Sequence, residues 1–167
     1  NSSQAISSAE FEYEVRRTRE AERTFNTPGS KIRVPTIMTH RRLAVPGGAI
    51  GVMRMNNVHA TPLQDVIKHP SQRRRFVRRW GETLARIHNA GYVHGDLHSQ
   101  NVLIDRRGQA VVLDWARSNR LSWFRKTRRL RLWRKMLILD LSFAARDLTG
   151  DGYGNMVKEL VQSYAKT

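Results

Sequence analysis

The stretch His88–Ser118, HNAGYVHGDLHSQNVLIDRRGQAVVLDWARS, decides how the rest of the chain is read. It opens on the end of an amphipathic helix and passes through a polar loop from His94 to Asn101. Two apolar runs follow, Val102-Leu103-Ile104 and Val111-Val112-Leu113, joined by a turn at Arg106-Arg107-Gly108. Short β-branched and aliphatic runs around a glycine turn read as a hairpin. The hairpin closes on Asp114, so one loop and one strand end together deliver Asp96, Asn101 and Asp114.

Asp96 and Asn101 stand at the spacing of the kinase loop H-R-D-L-x-x-x-N, written here His94-Gly95-Asp96-Leu97-His98-Ser99-Gln100-Asn101, and Asp114 falls where kinases place the Asp of D-F-G. At these residues the chain resembles the protein-kinase-like phosphotransferase superfamily. The resemblance implies an α+β fold with a truncated N-terminal small lobe and a mainly helical C-terminal lobe. It also implies transfer of the γ-phosphate of ATP, with Mg²⁺, to a hydroxyl. Phosphoryl transfer needs positioning and charge neutralisation more than covalent help, and hard Mg²⁺ prefers carboxylate, amide and phosphate oxygens. Asn101 and Asp114 are therefore expected to hold the metal and, with it, the nucleotide. Asp96 faces the attacking hydroxyl. His98 occupies the place of a lysine near the transferred phosphate. Among the acids of the first helix, Glu20 best matches the one that pairs across the small lobe with the phosphate-binding lysine, with Glu22 as the alternative.

The chain has 167 residues, enough for one domain with a real core, though few for a two-lobed kinase-like fold. With no Cys there is neither a disulfide framework nor a thiolate metal site. The longest nearly apolar run, Met136–Ala145, contains Asp140 and is too short to span a bilayer. The N-terminal residues lack the blocks of a signal peptide and an initiator Met, so an excised or incomplete piece is expected. The expected location is the cytoplasm, with peripheral contact at the inner face of the cytoplasmic membrane. Lys+Arg of 30 against Asp+Glu of 14 gives a net charge of +16, a field that attracts polyanions.

In chain order, Ser7 and Ser8 are candidate N-caps for a helix from Ala9 to Phe25, stopped by Asn26-Thr27-Pro28-Gly29. No Lys precedes Lys31 and no Gly-rich loop precedes Gly29, so the first strands of a small lobe are expected to be missing. Val34–Val45 and Ala49–Met55 read as strands around Pro46-Gly47-Gly48, and Asn56–His59 as the hinge. The expected division is residues 1–58 for the small-lobe remnant, helix plus hairpin, and 59–167 for the large lobe. A short helix, Leu63–Lys68, precedes a long one opened by Ser71, with Phe76, Val77, Trp80, Leu84 and Ile87 as its core stripe and Gly91 as its stop. His94 and His98 lie on a loop with no adjacent Glu, which excludes the helical H-E-x-x-H zinc motif. The ring of His94 is expected to hold loop backbone.

After Asp114 comes Trp115-Ala116 instead of Phe-Gly, and no A-P-E follows, which argues against a regulated protein kinase. In look the chain is similar to the lipopolysaccharide-core (Kdo/heptose) kinases and small atypical kinase-like relatives. The alternatives are an atypical serine/threonine protein kinase and a non-catalytic cationic pseudokinase or nucleic-acid-binding module. Arg117–Lys135 carries nine basic residues and no acid, interleaved with Trp123, Phe124, Leu130, Leu132 and Trp133. Three readings compete: contact with an anionic membrane or acidic glycolipid acceptor, a solvated face with its aromatics in the core, and nucleic acid, ranked last. Met136–Leu148 is expected to be a buried helix, and the resemblance implies that its Asp140 anchors the loop backbone. A last amphipathic helix carries Met156, Leu160, Val161 and Tyr164.

Overall fold

A computed structural model describes residues 8–46, 48–126 and 129–167. The expected cap Ser7, Gly47 of the turn, and Thr127 and Arg128 of the basic stretch lie outside the described residues. The chain opens with α1 (Ser8–Phe25), whose buried positions Phe11, Val15, Thr18, Ala21 and Phe25 recur every three or four residues. A helix with that period presents a single apolar stripe. Strand β1 (Ile32–Arg33) follows, then the hairpin β2 (Ile37–Val45) and β3 (Gly48–Met55), onto which Phe11 and Val15 pack together with Ile37.

Next come β4 (Ala60–Pro62), α2 (Leu63–Lys68) and α3 (Pro70–Asn89). Pro70 starts α3 where its missing N–H has no intrahelical partner to lose. Phe76, Val77, Trp80, Leu84 and Ile87 are all buried, as their spacing requires. Strand β5 (Tyr92–Val93) leads into the polar loop, and the hairpin β6 (Val102–Asp105) and β7 (Ala110–Val112) leaves it. β7 pairs antiparallel with β6, Val102 opposite Val112, and parallel with β1, Ile32 opposite Ala110; β4 covers the other edge of β6. The order β1-β7-β6-β4 puts β7 inside the sheet, and its three residues are all buried. Its continuous apolar run, without alternation, is what an inner strand shows.

Strand β8 (Asn119–Arg120) pairs with β5, and α4 (Leu121–Lys126), α5 (Leu130–Gly150), a single 3₁₀ turn (Gly154–Met156) and α6 (Val157–Lys166) complete the chain. α6 lies against α3 at Gly81, where any Cβ would collide with the carbonyl of Leu160. The main core joins α1, α3, the sheet and α6 around Trp80, Tyr92, Trp115 and Leu160.

One expectation fails. Met136–Leu148 is not a buried helix: α5 starts earlier and buries only Trp133, Asp140, Ala144 and Leu148, while Ile138 is 64% exposed. A nearly all-apolar sequence hides which stripe is used, and here α5 meets α6, β5 and α3 on one side. The basic stretch likewise divides. Phe124 and Trp133 are buried against Val93, whereas Leu130 and Leu132 face out.

Candidate active site

The loop after β5 is held by three side chains. Asp140, fully buried, accepts the backbone N–H of His94 on Oδ2 at 2.8 Å and that of Gly95 on Oδ1 at 2.7 Å. Its Oδ2 also meets His88 Nε2 at 3.1 Å, and His88 Nδ1 meets the Tyr164 hydroxyl at 2.9 Å. Tyr164, His88 and Asp140 thus form a relay from α6 through α3 and α5 to the loop. Burial, and then the charge of Asp140, push the Tyr164 hydroxyl above the ordinary phenol range. The second holder is His94, whose Nε2–H donates to the carbonyl of Leu113 at 2.9 Å, the backbone role expected of it. Burial drives its imidazole below the usual range, outweighing the carboxylates around it. The third is Asp147, which accepts the N–H of Ser99 at 2.6 Å and its hydroxyl at 2.8 Å.

These anchors fix the positions between them. Asn101 donates its amide N–H groups to the carbonyl of Asp96 at 2.9 Å and to His98 Nε2 at 3.1 Å, which leaves Oδ1 as the atom available to a cation. The carbonyl of Asn101 accepts the N–H of Leu113 at 2.9 Å, and this bond ties the loop to the end of β7. One residue further on, Asp114 stands exposed with φ at +52°, a left-handed conformation that a non-glycine residue adopts at a cost of order 1 kcal/mol. Trp115, in place of the Phe of D-F-G, is fully buried, donates Nε1–H to Val112 at 3.1 Å and stacks on Phe25. The turn is thereby locked while Asp114 projects outward. Asn101 thus joins His98 to the Asp96 backbone, and Asp114 follows directly on the Leu113–Asn101 bond.

The structure also places Arg117, which the sequence did not single out, beside Asp96. Its Nη1 lies 3.6 Å from Asp96 Oδ2, with the guanidinium 69% and the carboxylate 22% exposed. Gly95, at φ +85°, is what lets the Arg117 backbone approach so closely: a Cβ would stand 2.8 Å from the Arg117 carbonyl.

Glu20 on α1 has an arginine as its partner. It is bound to Arg17 at 3.0 Å, and Arg17 reaches on to Asn119 Oδ1 at 3.2 Å. The acid of α1 that feels Asp114 is Glu14, whose carboxyl is raised above the ordinary range, by burial first and then by the Asp114 charge. A signal was present: Glu14 lies three or four residues from Phe11 and Thr18, inside the buried stripe, whereas Glu20 lies outside it.

Among the described residues, no group of three or more His, Cys, Asp or Glu side chains could hold a metal by itself. One carboxylate and one amide oxygen, Asp114 and Asn101, nevertheless fit Mg²⁺, which completes its shell with waters and phosphate oxygens.

Fold and loop together define a kinase-like domain. Residues 3–147 match the model of the ABC1 atypical kinase-like domain, and the chain belongs to that family. It is 34% identical over 100 residues to a probable bifunctional tRNA threonylcarbamoyladenosine biosynthesis protein of Methanothermobacter thermautotrophicus, covering 59% of this chain and 17% of that protein. It is 36% identical over 77 residues to protein kinase kin1 of Schizosaccharomyces pombe, covering 46% of this chain and 8% of that protein. The chain therefore spans less than a fifth of either relative. These matches support the superfamily and the atypical-kinase side of the sequence reading; they lend nothing to its lipopolysaccharide-core side.

Proposed function

We propose that this chain carries the catalytic loop of an ATP- and Mg²⁺-dependent phosphotransferase acting on a hydroxyl. The observation that supports the reading most is the bond from Leu113 N–H to the Asn101 carbonyl at 2.9 Å, because it ties the residue before Asp114 to the loop that carries Asp96 and Asn101. When bound, Mg²⁺ neutralises charge on the phosphate oxygens. Asn101 Oδ1 and the Asp114 carboxylate would hold it. Asp96 Oδ2 accepts the hydroxyl proton of the acceptor as that oxygen bonds to the γ-phosphorus and ADP leaves. His98 stands beside Asn101 and contacts the transferred group.

Arg117 favours an acceptor with an anionic group next to its hydroxyl. A guanidinium pairs with carboxylate or phosphate in a fork, and here it already borders the proton acceptor. Kdo, the acidic sugar of a lipopolysaccharide core, met at the inner face of the cytoplasmic membrane, has that chemistry through its carboxylate; a heptose has it only where it already carries phosphate. A protein serine or threonine hydroxyl is the second reading, favoured by the likeness to a protein kinase.

The test is a pair of measurements on the full-length protein. Mg-ATP should raise the melting temperature, and turnover on Kdo should exceed turnover on its methyl ester, a preference that Arg117→Gln removes by raising KM. No nucleotide shift would overturn the reaction class. Equal turnover on acid and ester would leave the protein hydroxyl as the acceptor.

A further inference from the structure

The outer face of α5 is a surface that the proposed reaction does not use. Arg131, Leu132, Arg134, Lys135, Ile138 and Leu139 are all exposed, Ile138 at 64%. At 3.6 residues per turn these six fall on the half of the helix opposite Trp133, Asp140 and Ala144, which are buried. No acidic residue occurs between Arg117 and Leu139. The geometry points to a docking surface for an anionic lipid bilayer on this face, with the helix lying along the headgroups.

The composition of the face selects the occupant. A second copy of the chain would bring the same cations against themselves. Single-stranded nucleic acid would satisfy the cations, but it binds by stacking bases on aromatic rings, and the three apolar side chains here are aliphatic. A bilayer takes both components: aliphatic side chains enter the boundary of headgroups and acyl chains, and Arg and Lys meet anionic headgroups. Among the described residues no helix is long and apolar enough to cross a membrane. The face is also firmly mounted. Behind it Trp133 packs on Phe124 at 5.3 Å, and Asp140 of the same helix grips His94 and Gly95. A bilayer bound on α5 therefore fixes the orientation of the catalytic loop to the lipid surface.

The inference goes beyond the phosphotransfer reading and is tested without nucleotide, by sedimentation of the full-length protein with vesicles. Wild type should pellet with phosphatidylcholine vesicles containing phosphatidylglycerol and remain in the supernatant with phosphatidylcholine alone. Replacing Arg131, Arg134 and Lys135 by Gln should lower partitioning about a hundredfold. Replacing Leu132 and Ile138 by Ser should lower it about tenfold or more. All six side chains are exposed, and unchanged melting temperatures check that both variants fold. The Asp114→Ala protein should bind vesicles as wild type does, so a failure of the proposed reaction leaves this result standing. The inference is overturned if wild type stays unbound on anionic vesicles or if either variant binds like wild type. It is also overturned if polyuridylate binds with the same need for the three cations while the Leu132/Ile138 variant binds it undiminished.

Discussion

The backbone N–H of Gly95 donates to Asp140 Oδ1 at 2.7 Å across 45 residues of sequence, so the peptide preceding Asp96 is positioned by a helix folded from a distant part of the chain. The other carboxylate oxygen takes the N–H of His94 and the ring of His88. One buried side chain thus satisfies three donors that have no water to turn to.

Asp140→Ala should therefore destabilise the protein by about 3 kcal/mol or more, since each buried donor left unsatisfied costs about 1–3 kcal/mol. Tyr164→Phe, which removes only the outermost hydroxyl of the relay, should cost about 1 kcal/mol. Urea unfolding followed by circular dichroism measures both, and equal losses for the two variants would contradict the relay.

His94 makes stability depend on pH. Its Nε2–H is committed to Leu113, so an added proton must go to Nδ1, which is buried with no hydrogen-bond partner. The folded pKa lies below the unfolded value of about 6.5. Below that value the unfolded chain takes up a proton that the folded ring refuses, so this contribution is complete above it and is lost as pH falls. The slope reaches about 1.4 kcal/mol per pH unit from this group alone. Melting temperature should fall more steeply from neutral to mildly acid pH in wild type than in His94→Gln.

Glu14 and Asp114 report on each other. The Asp114 charge helps to raise the Glu14 carboxyl, so Asp114→Asn should lower the Glu14 pKa toward its ordinary value, leaving only the effect of burial. Adding Mg-ADP to wild type should shift it in the same direction. Carboxyl-carbon NMR titration follows the group directly. A Glu14 pKa unmoved by Asp114→Asn would show that α1 does not face the site.

Much of this was legible in the residues, and the exceptions have two causes. The Asp96/Asn101/Asp114 set, the hairpin and the stripe of α3 follow from local spacing, because hydrogen bonds within a loop and one face of a helix are short-range matters. That Asp140 needs partners was accessible because a lone acid in an apolar helix must find them; that the loop backbone supplies them was implied by the family resemblance. Glu14, Asp147 and Arg117 were not singled out, since their partners Asp114, Ser99 and Asp96 are set by tertiary packing or by a turn. α5 misled for the opposite reason: its segment Met136–Ala145 is apolar nearly all round, and burial of one stripe cannot be read from a stretch in which every stripe qualifies.

The central claim is that Asp96, Asn101 and Asp114 form a phosphotransfer site, and the most direct measurement is turnover of ATP by the full-length protein carrying Asp96→Ala or Asp114→Ala, each compared with wild type at matched folded fraction. Both side chains are at least partly exposed and neither is a core residue, so melting temperature should change little. Phosphotransfer should fall by about a hundredfold or more in each, the usual loss when a proton acceptor or a metal-holding carboxylate is removed. Near-normal turnover in either variant would contradict the account.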